Sequence, residues 1–288
     1  MGDTGQGTSN GRNGGGASRP SATPIAVKVA PNGDVAIGDV ANFGKGAEQI
    51  NDNNIDALRR RLGQTGLEAG NLGPQYQRTY IGIGRAYNIN QYLRTDHKDI
   101  KSDQSGWNGI ITKAEIRRDI KSMDKGMKPL QNETQLFRFD RGEMFGAMME
   151  SIGIKTGITR HNIDGLINNL KNNPTALQDL SNALKGQSYV NKAYNSFSYN
   201  GTHPGFGDYA VQFRVVAKPG TSVIATINKK EFEVLGGHHL KYVPTGGIQI
   251  QRKRGFKTDW KTKVRSPFDR DQLIIDVYVE NTAQTNKL

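Results

Sequence analysis

The residues from 189 to 279 are written in a two-residue period, whereas the stretch before them is written in helical turns. Tyr209, Val211, Phe213 and Val215 alternate with Ala210, Gln212 and Arg214, which puts one set on a single face of a strand. Short strand-like runs follow at 222–227, 232–235, 240–243, 247–251 and 273–279. Upstream, Ile55, Leu58 and Leu62 share a helical face; Tyr87, Ile89, Asn90 and Leu93 mark a second short helix ending near Arg94. Thr112 with Glu115 forms a capping-box pattern ahead of Ile116, Ile120 and Met123. Residues 136–139 are apolar apart from Arg138 and strand-length. A helical pair then carries Ile163, Leu166, Ile167 and Leu170, followed by Asn173-Pro174 as a start signal for Leu177, Leu180 and Leu184. Helices first and a mostly antiparallel sheet afterwards predict an α+β domain.

Not all of the 288 residues join that domain. Only 35% are apolar and 35 are glycine, with a mean hydropathy of −0.64. Seven glycines fall in the first sixteen positions, a composition that cannot bury enough apolar surface to offset ordering entropy. Residues 1–24 therefore read as a disordered leader. Residues 25–50 read as an extended segment or small hairpin, because Ile25, Val27 and Val29 alternate before a Pro31-Asn32-Gly33-Asp34 turn and then Val35 and Ile37. Residues 51–282 form the expected folded domain and 283–288 a tail. No apolar run reaches the length of about 18 residues that a membrane-spanning helix needs. The N-terminus shows no basic region followed by an apolar core, so no signal peptide is expected. The absence of cysteine excludes disulfides, thiol catalysis and cysteine-ligated metals.

Net charge is +12 and is unevenly spread. Residues 252–265 hold seven basic side chains (Arg252, Lys253, Arg254, Lys257, Lys261, Lys263, Arg265) against one acid, Asp259, together with Phe256 and Trp260. Basic residues interleaved with aromatics can follow a phosphate backbone and stack bases, which makes nucleic acid a possible partner. The same pattern also suits a long basic hairpin. His238-His239, placed on a strand, would face opposite ways, and no carboxylate-histidine cluster has metal spacing, so no metal is expected. Met148-Met149 and Trp107 read as core.

Glu231-Phe232-Glu233 is the remaining feature. On an extended chain residues two apart share a face, so both carboxylates project together, with about 7 Å between their Cα atoms. Alone, an acid-x-acid triplet is unremarkable. Here it follows Leu136-Phe137-Arg138 and Tyr194-Asn195-Ser196-Phe197-Ser198. In that order these segments resemble the arginine strand, serine motif and glutamate motif of the mono-ADP-ribosyltransferases, a group of bacterial toxins and effectors and phage-encoded enzymes. Tyr87-Asn88-Ile89-Asn90-Gln91-Tyr92-Leu93-Arg94 also resembles the Ile-Asn-x-x-Leu-Arg helix preceding the core of many members. The resemblance covers residues 50–280. It departs from the pattern at Phe197, where the family has threonine, and Arg141-Gly142 offers a second candidate for the arginine.

The resemblance implies an ADP-ribosyltransferase fold, with helices packed on two small, mostly antiparallel sheets around an NAD cleft. It further implies transfer of ADP-ribose from NAD, as co-substrate and without a metal, to an arginine of a target protein, with nicotinamide released. In that scheme Glu233 stabilises the ribosyl cation, Ser196 holds Glu233, and Arg138 pairs with the diphosphate, with Arg141 as the fallback. Glu231 takes the acceptor guanidinium, and Lys229 lies in the acceptor-recognition turn of 226–230. Ser198 belongs to the nucleotide-binding serine motif. Phe206, in the glycine-rich loop 200–207, would stack on a ring of the nucleotide. Family habit places the activity in a host cytoplasm after delivery by a secretion apparatus or a virion. A NAD glycohydrolase, a nucleic-acid-directed transferase and a non-enzymatic basic virion or nucleic-acid-binding protein are the alternative readings.

Overall fold

The computed structural model describes residues 26–64, 85–98, 112–155, 157–202, 206, 208–225, 232–258, 262 and 264–287. The leader, Trp107, Lys229, Glu231 and the 226–230 turn lie outside them.

Six helices among the described residues are α1 (Ile55–Arg61), α2 (Arg85–Arg94), α3 (Lys113–Gly126), α4 (Glu143–Ser151), α5 (Ile163–Asn172) and α6 (Pro174–Leu184). The strands are β1 (Lys28–Val29), β2 (Val35–Ile37), β3 (Glu48–Gln49), β4 (Lys128–Pro129), β5 (Thr134–Asp140), β6 (Tyr189–Asn191), β7 (Asn195–Ser198), β8 (Val211–Ala217), β9 (Ser222–Ala225), β10 (Glu233–Gly236), β11 (Leu240–Thr258) and β12 (Arg265–Glu280). The cap signals act as read. Thr112 Oγ1 accepts from Glu115 N while Glu115 accepts from Thr112 N. Asn173 accepts from Ala176 N with Pro174 in the first turn of α6.

The strands run in the order β1-β2-β11-β12-β8-β5-β7-β10-β9-β4, with β3 on β5 and β6 on β11. Pairing is antiparallel except for β12 with β8 and β3 with β5. β5 and β8 pair along the whole of β5, from Thr134 to Asp140. β5 and β7, by contrast, meet at one pair only, Phe137 with Ser198. The expected two sheets are therefore two halves of one ladder, joined at a single rung. The 26–50 segment supplies a hairpin, β1 and β2, that extends the first half along β11.

Two apolar clusters hold the halves. The larger joins α1, α4, α5 and α6 to both halves of the sheet and includes Phe145, Ile167, Leu177, Phe197, Phe213, Tyr242, Ile250 and Ile275. The smaller seats α2 and α3 on the second half, with Ile89, Tyr92, Leu93, Ile116 and Ile120 around Tyr194, Ile224 and Leu235. Burying side chains of this size is worth about 1.5–3 kcal/mol each.

Three local readings change. Residues 240–251 do not form two strands. β11 runs through both, with a register irregularity between Pro244 and Ile248; Pro lacks the ladder donor, and the chain bulges to continue. Helix α4 has no clear sequence signature, being short and interrupted by Gly146. His238 and His239 do not face opposite ways, because His239 sits at φ 57 in a turn that brings their Nδ1 atoms to 2.7 Å. His238 Nε2 lies 3.2 Å from Asp124, and Tyr194 donates to the other oxygen of that carboxylate.

Phe197, the departure from the family pattern, is 1% exposed and lies in the core. Its ring occupies the space above Gly236, where a Cβ would come within 2.5 Å of Cε2. Gly236→Ala is expected to destabilise the protein by about 1–3 kcal/mol, as overpacking does, in urea unfolding. Phe197→Thr in the same chain should recover part of that loss. A second outcome follows from His239, whose pKa is lowered from 6.5 to about 4 chiefly by burial and then by His238 and Lys192. The unfolded chain binds the proton first, so stability should fall as pH drops from 6.5 toward 4. His239→Asn, which tolerates the left-handed backbone, should flatten that slope in denaturation midpoints taken at pH 7 and 4.5.

Candidate active site

Strands β7 and β10 pair so that Ser198 stands opposite Glu233 and Ser196 opposite Leu235. Alternation then places Ser196, Ser198 and Glu233 on the face that carries Leu235, the one on which α2 and α3 lie. Phe197 and Val234 fill the core on the other side. Helix α2 is tied to this strand directly, because Asn90 Oδ1 accepts from Tyr194 N at 3.1 Å.

Glu233 is 3% exposed, and Ser196 Oγ donates to its Oε1 at 2.7 Å. A buried carboxylate needs such donors to offset lost hydration. Its backbone is aimed by the preceding residue. Phe232 has φ 50, an unfavourable conformation for a bulky side chain. It is held by a hydrogen bond from Tyr199 N to its carbonyl at 2.9 Å and by an edge-on contact with the Tyr199 ring at 5.4 Å. Tyr199 is in turn anchored through its hydroxyl to Asp52 at 2.8 Å.

On the facing strand, Arg138 Nη1 donates to Ser196 O at 3.3 Å and Nε to Met144 Sδ at 2.9 Å. The register of that contact is set by Asp140. Its carboxylate accepts from the backbone N–H groups of Gly142, Met144 and Phe145, capping α4 at the end of β5 with a negative charge where the helix dipole favours one. Arg138, Ser196 and Ser198 line a cavity of about 180 Å³ with Phe139, Phe197, Phe206 and Tyr209. Phe206 and Tyr209 meet edge-on at 5.3 Å. Ser198 Oγ is engaged with its own loop, donating to Asn200 O and accepting from Asn200 N.

Arg141, the other candidate arginine, lies elsewhere. It is exposed, sits over the Tyr209 ring at 4.7 Å and donates to the Tyr209 hydroxyl at 2.9 Å. Burial raises the pKa of that hydroxyl and Arg141 opposes the rise. The structure thus brings four residues read from the sequence, Arg138, Ser196, Ser198 and Phe206, to one cavity, with Glu233 tied to it through Ser196; the sequence reading did not single out Asp140 or Tyr209. Asp140 could have been found as an acid at a strand end before an otherwise weak helix start; Tyr209 looked like one more alternating strand residue.

The model of the ADP-ribosyltransferase exoenzyme family matches residues 75–267, about two thirds of the sequence and all of the cleft. The chain belongs to that family. Among solved structures, the ADP-ribosyltransferase fold recurs at low identity. C3stau2 from S. aureus, determined with NAD, is 14% identical, with 82% of this chain and 99% of that one covered at a TM-score of 0.51. The ADP-ribosylating toxin BECa of C. perfringens, determined with NADH, is 15% identical with a TM-score of 0.50; the match covers 81% of this chain and 49% of that one. Plx2a, a toxin from Paenibacillus larvae, is 15% identical over 81% of this chain and 98% of that one, at a TM-score of 0.49. No curated protein sequence matches the chain. Among the described residues no helix is long and apolar enough to cross a membrane, and no group of three or more metal-ligating side chains forms.

If Asp140 sets the cleft through the α4 cap, Asp140→Ala should cost about 1–3 kcal/mol in thermal or urea unfolding, since three buried donors lose their acceptor. Asp140→Asn, which keeps one acceptor oxygen, should cost less.

Proposed function

We propose that the protein is a mono-ADP-ribosyltransferase that moves ADP-ribose from NAD to an arginine of a target protein. The observation that carries the reading is the buried Glu233 carboxylate, bonded to Ser196, which itself lines a cavity together with Arg138. Arg138 presents a planar cationic fork suited to the diphosphate. Phe206 and Tyr209 offer apolar and aromatic surface to the nicotinamide end.

The C1′–N bond of the nicotinamide ribose breaks with its electron pair leaving on nicotinamide. The ribosyl cation that develops is met by the Glu233 carboxylate. In a site removed from water that attraction is far stronger than in bulk solvent, and no solvent shell has to rearrange. Ser196 limits the carboxylate to one orientation. An arginine Nη of the target then attacks C1′ and gives up a proton, for which Glu231 is the assigned acceptor. That assignment rests on the sequence, where Glu231 is two residues before Glu233 and a glutamate at this position goes with arginine acceptors in the family. Lys229 would favour acidic surroundings around the target arginine. The site of action in this reading is a host cytoplasm reached after delivery.

Incubation with labelled NAD and a host lysate tests the assignment. Glu233→Gln should lower both nicotinamide release and protein labelling by a factor of about 100 or more, the scale of removing one preorganised electrostatic partner. Glu231→Gln should lose hydroxylamine-sensitive arginine label while keeping NAD hydrolysis. Full labelling by both variants would sink the reading, and label on nucleic acid instead of protein would move it to the nucleic-acid-directed alternative.

A further inference from the structure

A second cavity, of about 300 Å³, opens on the far side of Tyr209 from the reaction cavity, and it is lined by Arg141, Arg160, Lys257 and Arg270 with Asp164, Asp208 and Ala210. Four cations against two carboxylates leave it net positive. Three separate parts of the chain supply the cations: the end of β5, the turn before α5, and both strands of the long β11–β12 ribbon. β8 covers β12 only from Leu273 onward, and β2 pairs with β11 only from Ile248 to Ile250. The ribbon beyond them runs as an isolated two-stranded hairpin out to Thr258 and Arg265. A pair of strands standing alone is marginal in water. This one is braced at the cavity by Arg270, which donates to Asp208 O at 2.7 Å and pairs with Asp164, and by Lys257, 3.7 Å from the Asp208 carboxylate.

These contacts engage Arg270 and Lys257 with carboxylates and leave other donors of the cluster unused. Arg270 Nε is buried and has no hydrogen-bond partner among the described residues, an unusual state for a charged donor. Among the described residues Arg141 meets the ring and hydroxyl of Tyr209, neither of which carries a negative charge. Arg160 meets His161 Nε2 at 3.2 Å. A guanidinium cluster of this kind matches phosphate oxygens in charge and fork geometry. The NAD diphosphate does not account for it, because the preceding reading pairs that group with Arg138 and the adenosine beyond it is uncharged. We propose that this second cavity binds a phosphoryl group other than the diphosphate held at Arg138. The proposal rests on the donor reading in that one respect only.

Two sources share this chemistry, a 2′-phosphate on the adenosine of the same dinucleotide and a phosphate ester on a separate molecule. Calorimetric titration with inorganic phosphate and pyrophosphate tests the site without turnover. Its failure is therefore distinguishable from failure of the transferase reading, which nicotinamide release reports. The full-length chain should bind the anion in a salt-dependent manner. Arg160→Gln with Lys257→Gln, two exposed positions outside the reaction cavity, should weaken binding by about tenfold or more and leave nicotinamide release unchanged. Arg141→Gln provides an independent variant that touches neither side of the ribbon. If NADP binds about tenfold tighter than NAD to the parent chain and equally to the double variant, the dinucleotide is the source. If phosphate binds undiminished in the presence of saturating NAD, the source is a second molecule. No phosphate binding by the parent chain, equal binding by parent and double variant, or binding that disappears in Arg138→Gln alone would overturn the proposal.

Discussion

The cleft exists because two strands part after one rung. β5 is fully committed to β8 on one side, and β7 is fully committed to β10 on the other. Between them only Phe137 and Ser198 pair. Past that rung, Ser196 O finds the guanidinium of Arg138 in place of a ladder partner. A strand carbonyl left without a ladder partner takes another donor or water, and here it takes a cation that also lines the cavity. The wedge between β5 and β7 is thus both the gap in the sheet and the place where an anion can enter. The rung itself is a crowded point. A Cβ at Gly201 would come within 2.8 Å of the Phe137 ring, so the chain leaving the serine strand can cross Phe137 only as glycine.

Much of this was readable from residues because the signals are local. The capping box at Thr112, the Asn173-Pro174 start and the alternation through β8 each depend on neighbours within a few positions, and the segments around Arg138, Ser196 and Glu233 are each short, although the three lie far apart in the chain. What was not readable depends on residues far apart in the chain. Phe197 is an anomaly when compared with threonine, and an ordinary core residue once Gly236 is seen to leave room for its ring. The His238-His239 pair could be placed only after the left-handed turn at His239 was known, because a strand reading sends the rings apart. Strand β11 was split in two because Pro244 and Gly246-Gly247 punctuate the sequence like a turn, whereas the ladder with β12 resumes at Ile248 after a slip in register. Helix α4 hides for a different reason. Its start is fixed by Asp140, which lies outside it, and its apolar face is made largely of methionine, which has no strong periodic signature.

The cost of the site falls on Glu233 and the residue before it. A carboxylate that is 3% exposed is expensive to bury, and Phe232 in the left-handed region is strained. Both are concentrated within two residues. The compensation comes from Tyr199, which supplies a backbone donor to Phe232, a ring against its side chain, and a hydroxyl anchored to Asp52 at the start of the helical region. Strain held in this way is useful only if it cannot relax, and Tyr199 is 5% exposed. The serine strand therefore has two jobs on its two faces: Ser196 orients Glu233, while the residue at its exit, Tyr199, locks the backbone that presents Glu233.

Tyr209 occupies a comparable position between the two cavities. Its ring borders both, its edge meets Phe206 on one side, and its face and hydroxyl take Arg141 on the other. A group engaged on both sides can couple them: a ligand that drew Arg141 away from Tyr209 would remove the donor from its hydroxyl and the charge from its face. The coupling is reciprocal by linkage. A phosphoryl group in the outer cavity and a dinucleotide in the inner one would each alter the affinity of the other by the same factor, through one aromatic ring and without any movement of the sheet.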